Sequence, residues 1–253
     1  MVNKSGIIMQ VRNGSTRLPQ KMTRPLYEGK GIFELLLERM ISYFESVPII
    51  VATTTNENDT AIADIAESKG VMLYRGSEND VLDRFINAAE AFDIDNVIRI
   101  CADNPLLDMQ RLELMIKASE LAAVDYWCYA TSDGLPTIKT GYGFWGEAVT
   151  KETLKCVWRK TDDTLYREHV TNFIYTHPEE FKIHYEVIDP EVEQHSNIRL
   201  TVDTANDFNL MKEIYAEIQK ENIPIQTKPL VEMIAKYPKW RRTMNLEMQK
   251  NLK

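Results

Sequence analysis

Three cations follow a short apolar run near the N-terminus. Residues 7–11 have the composition of a buried strand, and Arg12, Arg17 and Lys21 come soon after it. Gly14 can take a positive φ and let a ligand approach the backbone, and the two hydroxyl residues after it suit an anion nest. Cations so close in sequence repel one another, so a polyanion is their natural partner. The order of strand, glycine turn and cations predicts a phosphate-binding loop at the ligand edge of an α/β sheet; a solvated basic loop is the alternative.

Two carboxylates, Asp103 and Asp203, each follow an apolar segment that is predicted to be a strand. Mg²⁺ on a nucleotide is typically held by one or two carboxylates together with phosphate oxygens. Either residue can instead cap the helix that follows it. Asp108 is better placed for that role in the first case, and Thr204 competes with Asp203 in the second. Two strand-end carboxylates beside a basic glycine loop together predict a metal–nucleotide site.

Predicted strands and helices alternate along the first half of the chain. Strands are predicted at residues 7–11, 48–53, 71–74, 96–101, 181–187 and 198–202, with an extended segment at 141–149. Helices are predicted at residues 32–46, 56–69, 79–92, 107–121, 151–159, 166–176 and 205–219. The alternation favours a mostly parallel, doubly wound sheet in a three-layer αβα, Rossmann-like fold.

The chain is expected to be one domain, residues 1–253, with three parts. Residues 1–130 form the nucleotide-binding half. Residues 131–195, where the alternation weakens, are expected to leave the core sheet and to carry a second substrate and a dimer contact. Residues 196–253 return with the second carboxylate and the C-terminal helices.

Composition narrows the class of protein. The 253 residues are 44% hydrophobic, and the net charge of -8 argues against a general nucleic-acid surface. Three widely spaced cysteines predict reduced thiols in a cytoplasmic protein. Neither a signal peptide nor a membrane span is recognised. The basic stretch around Trp240 is expected to be a packed or frayed terminus; contact with nucleic acid or a membrane is the alternative.

The segment 12–21, Arg-Asn-Gly-Ser-Thr-Arg-Leu-Pro-Gln-Lys, resembles the signature of the SpsF-type cytidylyltransferases of spore-coat polysaccharide biosynthesis. That family is related to the CMP-KDO and CMP-sialic acid synthetases. The resemblance covers roughly residues 6–215 and recurs at residues 75–84, 102–105, 167–171 and 200–204. Departures occur at Ala102 and Asn104, which flank Asp103 where the family usually has Gly and Cys, and at Tyr166, where the family has Asp.

The resemblance implies a GT-A-like nucleotidyltransferase fold and a Mg²⁺-dependent cytidylyltransferase. Such an enzyme transfers CMP from CTP to a sugar, sugar-phosphate or polyol-phosphate acceptor and releases pyrophosphate, here for a surface polysaccharide. Its partners would be these small molecules and a second copy of the chain, with no nucleic acid and no membrane. Asp103 and Asp203 would be the metal ligands, and the catalytic residues would be Lys21, Arg12 and Arg17.

The resemblance also assigns the two substrates to residues. The nucleotide would be bound by Gln10, Val11, Arg12, Asn13, Gly14, Ser15, Lys21, Thr53, Thr54, Asp80, Arg84, Ala102 and Asp103. The acceptor would be bound by Tyr142, Glu168 and His169. Three of these have open alternatives: Asp80 as a helix cap, Arg84 as a surface ion pair, and His169 as a structural histidine.

Two further motifs are set aside. Residues 141–146 fit GxGxxG but lack a strand–turn–helix context, and residues 93–95 fit DxD but precede their strand. A GT-A-like glycosyltransferase and an inactive nucleotide-binding protein remain the rival functions. The sequence leaves open the identity of the acceptor and the choice between CTP and UTP.

Overall fold

The computed structural model describes residues 4–250, which fold into strands and helices in alternation. The strands are β1 (Ser5–Gln10), β2 (Pro25–Tyr27), β3 (Lys30–Gly31), β4 (Ile49–Thr54), β5 (Met72–Gly76), β6 (Asn96–Cys101), β7 (Tyr126–Ala130), β8 (Glu147–Thr150) and β9 (Ile183–Val187). The helices are α1 (Ile32–Tyr43), α2 (Thr60–Ser68), α3 (Val81–Ala91), α4 (Met109–Leu121), α5 (Lys151–Lys160), α6 (Thr164–Glu168), α7 (Asn172–Thr176), α8 (Pro190–Glu193), α9 (Ala205–Glu221), α10 (Thr227–Ala235) and α11 (Pro238–Lys250).

Seven strands form one mixed sheet in the order β5-β4-β1-β6-β8-β7-β9. The first four are parallel neighbours, β8 runs antiparallel to β6 and β7, and β9 is parallel to β7. The short hairpin of β2 and β3 lies apart from this sheet. In β1, Ile7, Ile8 and Met9 are fully buried, because a parallel strand is covered by helices on both faces.

Helices cover both faces of the sheet. Ile7 and Met9 face one core and Ile8 faces the other, as the two-residue period of a strand requires. The first core includes apolar residues of α1, α2, α4, α9, α10 and α11, and the second includes those of α3, α5 and α7. The three-layer αβα fold class is therefore confirmed.

Two predictions about the second half of the chain are wrong. Residues 131–195 do not leave the sheet as a whole, since they supply β8 and β9. Residues 198–202 are extended but form no strand: the Leu200 amide donates to the Gly141 carbonyl at 2.7 Å, and the Val202 amide donates to the Asp103 carbonyl at 2.9 Å. Their partners lie in loops, so the segment is not part of the sheet.

Smaller differences concern single elements. The helix expected at residues 166–176 is two short helices, α6 and α7, and β7 was not predicted. Trp240 in α11 is buried and donates to Glu213 at 3.0 Å, so the basic C-terminal stretch packs against the core. Within residues 4–250, no helix combines the length and apolar character needed to cross a membrane.

Candidate active site

A cleft of about 630 Å³ opens where β1 and β6 end side by side. The register pairs Gln10 with Cys101, so the loops that follow the two strands meet at this edge. This is the edge at which open α/β sheets bind ligands. The predicted site residues that line the cleft are Gln10, Val11, Arg12, Gly14, Ser15, Arg17, Lys21, Ala102, Asp103, Glu168, His169 and Asp203.

The basic loop after β1 is held in place by Asn13. Its backbone amide donates to the Asp59 carboxylate at 2.6 Å, and its carbonyl accepts from the amides of Ser15 and Gln20 at 2.8 and 3.3 Å. Asn13 is buried and does not line the cleft, so the structure gives it a structural role, and its expected nucleotide contact stays a prediction. Gly14 does not adopt the positive φ that was expected, but a Cβ there would lie 2.9 Å from Glu78.

Lys21 places its ammonium between the two predicted metal ligands. The residue is 7% exposed, and Nζ donates to the Val202 carbonyl at 2.8 Å. The same Nζ lies 3.5 Å from Asp103 Oδ2 and 3.8 Å from Asp203 Oδ1. The structure thus joins three residues that are far apart in sequence into one charged group at the floor of the cleft.

Asp203 is surrounded by cations. Arg199 Nη2 lies 2.7 Å from its Oδ2, and Arg17 Nη2 lies 3.4 Å from its Oδ1. Burial opposes the charged form of Asp203, but Lys21 and then Arg199 outweigh it and hold the pKa of this carboxyl below its usual value. Asp203 is therefore ionised at neutral pH and available to a cation.

Neither aspartate is used as a helix cap. Asp108 caps α4 by accepting from the Arg111 amide at 3.1 Å. Thr204 caps α9, with Asp207 completing a capping box. The capping alternative is excluded for Asp103 and Asp203, whose oxygens face the cleft.

The donor set fits a hard divalent cation only in part. Two carboxylates provide the oxygen ligands that Mg²⁺ and Mn²⁺ favour, but these ions need about six ligands. Within residues 4–250, no group of three or more His, Cys, Asp or Glu side chains could hold a metal ion. Phosphate oxygens or water must therefore complete any metal site here.

The opposite wall of the cleft carries Glu168 and His169. Glu168 lies 3.3 Å from Arg12 Nη2, which links this wall to the basic loop. Tyr142 was expected beside them, but its side chain is 2% exposed and its hydroxyl donates to the Val192 carbonyl at 3.4 Å. Burial raises the pKa of Tyr142 to about 12. Because the ring packs in an aromatic cluster and does not line the cleft, the structure gives Tyr142 a place in the core, and its assignment to acceptor binding stays a prediction.

Comparison with known proteins identifies the family of this chain. A family model described as cytidylyltransferase matches residues 6–236, which is most of the chain. The chain belongs to the cytidylyltransferase family. It is 30% identical over 236 residues to the spore coat polysaccharide biosynthesis protein SpsF of Bacillus subtilis, covering 91% of this chain and 94% of SpsF. It is 36% identical over 233 residues to protein MJ1063 of Methanocaldococcus jannaschii, covering 91% and 90% of the two chains.

Solved structures share the fold. A cytidylyltransferase from Leptospira borgpetersenii superposes with a TM-score of 0.81 at 27% identity, covering 94% of this chain and 96% of that one. A CMP-KDO synthetase, solved with CTP, gives a TM-score of 0.63 at 13% identity and covers 85% and 99%. The protein is a nucleotidyltransferase, and the cleft is the candidate active site of this cytidylyltransferase.

Besides Asn13, four residues predicted to bind the nucleotide do not line the cleft: Thr53, Thr54, Asp80 and Arg84. Thr54 donates its hydroxyl to Asp59. Asp80 caps α3, accepting from the Asp83 amide at 2.8 Å, so its alternative role as a helix cap is confirmed. The structure therefore leaves these two side chains with structural partners.

Arg84 is not the surface ion pair that was its alternative, because its side chain is fully buried. Nη1 donates to the Ser77 carbonyl at 2.5 Å, while within residues 4–250 Nε and Nη2 have no hydrogen-bond partner. The Thr53 hydroxyl likewise has no partner among these residues. Burial, and then the charge of Arg12, lowers the pKa of Arg84 to about 10, so it remains cationic at neutral pH.

Several residues that line the cleft of the cytidylyltransferase were not predicted. They are Arg99, Asn104, Lys139, Trp145, Arg199 and Thr201, among others. Arg99 forms an ion pair with buried Glu147, and Thr171 donates to the same carboxylate at 3.1 Å. A cation within an apolar run indicates that the folded protein provides it with a buried anionic partner, because charged residues are rarely buried unless they are paired. Both Arg99 and Arg199 stand in such runs.

Proposed function

We propose that the protein transfers CMP from CTP to a small acceptor and releases pyrophosphate, with Mg²⁺ as its cofactor. The observation that carries the proposal is the Lys21 ammonium, held 3.5 and 3.8 Å from Asp103 and Asp203 at the floor of a cationic cleft. Nucleotidyl transfer requires cations that bind the phosphates and carboxylates that bind a metal ion. The CTP complex of the CMP-KDO synthetase with the same fold supports the choice of nucleotide.

The triphosphate is proposed to lie along the basic loop, on Arg12, Arg17 and Lys21. An acceptor oxygen attacks the α-phosphorus in line, and the bond to the β-phosphate oxygen breaks. Little covalent chemistry is required of the protein, so catalysis consists of positioning and of stabilising charge on the transferring and leaving phosphates. Arg12 and Arg17 bind and orient, and Lys21 is already fixed by the Val202 carbonyl at 2.8 Å.

Asp103 and Asp203 would hold the metal, with phosphate oxygens completing its ligands. When bound, Mg²⁺ supplies Lewis-acid stabilisation of the phosphoryl oxygens. A divalent cation also offsets the repulsion between the aspartates and the triphosphate. In the structure Lys21 faces both aspartates, and Arg17 and Arg199 also neutralise Asp203. Because Arg17 and Lys21 are proposed to bind phosphates as well, we propose that the nucleotide and the metal arrive together.

The base is proposed to contact Arg84 and Thr53. A buried donor or acceptor without a partner costs about 1–3 kcal/mol, so the unsatisfied atoms of these residues call for a ligand. A cytosine edge presents acceptors to the guanidinium and a donor to the hydroxyl.

The acceptor is proposed to be a sugar, sugar phosphate or polyol phosphate on the wall formed by Glu168 and His169. The role of SpsF in spore coat polysaccharide biosynthesis supports a product used for a surface polysaccharide. Residues 131–195 supply this wall, and we propose that they also carry the contact of a homodimer.

The decisive experiment is pyrophosphate release from each of the four NTPs with Mg²⁺ and a panel of acceptors. Only CTP should support turnover. CTP with Mg²⁺ at about a hundred times its Kd should stabilise the protein by about 2.7 kcal/mol, a rise in Tm of roughly 5–10 °C. A shift with UTP or ATP but not with CTP would refute the cytidylyl assignment. Cleavage of a nucleotide sugar without pyrophosphate release would favour a glycosyltransferase.

A further inference from the structure

Arg199 holds one oxygen of Asp203 in a fixed position. The arginine side chain is 9% exposed, and its Nη2 lies 2.7 Å from Asp203 Oδ2. On its other side, Nε lies 2.9 Å from Asp207 Oδ1. A planar guanidinium that bridges two carboxylates has little freedom to rotate.

Asp207, the far end of this bridge, is itself immobilised. It is 5% exposed in its side chain and accepts from the amides of Asp203 and Thr204 at 3.0 and 2.9 Å as part of the capping box of α9. Gly141 packs against the stem of Arg199, since a Cβ there would lie 3.3 Å from the Arg199 Cβ. The orientation of Asp203 is thus determined by a helix N-terminus through Arg199.

The other oxygen of Asp203 is the one offered to the cleft. Oδ1 lies 3.4 Å from Arg17 and 3.8 Å from Lys21, the residue that also contacts Asp103. A cation that entered between the two aspartates would meet Oδ1, while Oδ2 stays bonded to Arg199.

We propose that Arg199 is a positioning residue that restricts Asp203 to monodentate ligation, and that the site thereby favours Mg²⁺ and Mn²⁺ over Ca²⁺. The inference rests on the proposed metal site of the cytidylyltransferase. Ca²⁺ takes six to eight oxygens and often binds carboxylates in bidentate fashion, whereas Mg²⁺ requires near-octahedral geometry. Because Arg199 occupies Oδ2, Asp203 cannot bind a metal ion through both oxygens, and that bidentate mode is one that Ca²⁺ uses and Mg²⁺ does not.

The ratio of Ca²⁺ to Mn²⁺ affinity separates this role from a simple charge effect. Removing the positive charge of Arg199 strengthens the binding of every divalent cation, and that change cancels in the ratio. Release of Oδ2 from Arg199 strengthens the binding of Ca²⁺ but not that of Mn²⁺, so this change remains in the ratio. The ratio therefore reports on ligation rather than on charge.

The experiment measures Mn²⁺ bound to the protein with CTP, by water proton relaxation, and its displacement by Ca²⁺. CTP alone gives the background. In Arg199→Met, the preference for Ca²⁺ over Mn²⁺ should rise by about tenfold, the lower end of the effect of removing a residue that orients a metal ligand. Arg199→Lys keeps the charge but cannot form the fork, so the ratio should rise there as well.

Arg17→Met is the matched control, because it removes a cation from the same carboxylate and leaves the Arg199 bridge intact. Its ratio should stay within twofold of wild type. An unchanged ratio in folded Arg199→Met, or an equal rise in Arg17→Met, overturns the inference. If Arg199→Met does not fold, Arg199→Lys decides. A wild-type protein that takes up no Mn²⁺ with CTP would refute the proposed metal site as well.

Discussion

Replacing Lys21 by methionine removes the charge at the centre of the site while keeping most of the side-chain volume. In the structure the ammonium faces Asp103 at 3.5 Å and Asp203 at 3.8 Å. At an effective dielectric constant of about 20, each pair has a gross attraction of about 4–5 kcal/mol. Because Lys21 is 7% exposed, the loss of its hydration cancels most of that attraction.

The net effect on stability should therefore be modest. Methionine leaves the Val202 carbonyl without its 2.8 Å donor and removes one cation from Asp203, which keeps Arg199 and Arg17. An unsatisfied buried carbonyl costs about 1–3 kcal/mol, so we expect a loss of about 2 kcal/mol in the free energy of unfolding. For a domain of this size that loss is a drop in Tm of roughly 4–8 °C, measurable by thermal denaturation.

The effect on catalysis should be larger. Lys21 is placed to stabilise charge that grows as pyrophosphate leaves, and loss of one such preorganised contact lowers kcat by about 10²–10³-fold. KM for CTP should change less, because Arg12 and Arg17 remain on the loop. Lys21→Arg keeps the charge with a different reach, so it should restore kcat only in part.

The assay is pyrophosphate release across a CTP titration for wild type, Lys21→Met and Lys21→Arg. A raised KM with an unchanged kcat would show that Lys21 contributes only to nucleotide binding. The catalytic role would then have to be abandoned.

Other predictions test the surrounding residues. Asp103→Asn and Asp203→Asn should fold, because neither residue caps a helix, but each should lose most activity at saturating Mg²⁺; near-normal turnover would remove that residue from the metal site. The pKa of Asp203 is lowered in the folded protein, so its contribution to stability is present above about pH 4 and is lost as pH falls through the folded-state pKa. In Asp203→Asn, Tm should therefore fall less steeply with decreasing pH in the acid range than it does in the wild type. An unchanged acid dependence of Tm contradicts this. Arg84→Met should weaken CTP binding by about 1–3 kcal/mol in calorimetry, with unchanged affinity arguing against a base contact.

The nucleotide half of the fold was predictable from sequence because its elements are local. Continuous apolar strands such as β1 and amphipathic helices such as α3 carry their own periodicity, and the predicted β6 has the bounds seen in the structure. The second half was less predictable. Strand β8 pairs antiparallel with both β6 and β7, and it lies between them although β7 comes before it in sequence. The place of β7 and β8 in the sheet therefore depends on contacts between residues distant in sequence.

The sequence by itself determined which chemistry is available. Two sequence features predict this chemistry: Arg12, Arg17 and Lys21 after β1 predict a phosphate-binding loop, and Asp103 and Asp203 at the ends of apolar segments predict two metal-binding carboxylates. Residue type and order along a strand are local properties, and the edge at which a parallel strand ends follows from them.

Only the tertiary structure decided which residues meet and in what state. It placed Lys21 between the two aspartates and turned Tyr142 into the core. It also left Arg84 buried, with Nε and Nη2 lacking a partner among residues 4–250. These outcomes depend on packing between segments far apart in the chain, which no local pattern encodes. The capping box of α9 and the pairing of Arg199 with Asp203, in contrast, join residues close together in sequence.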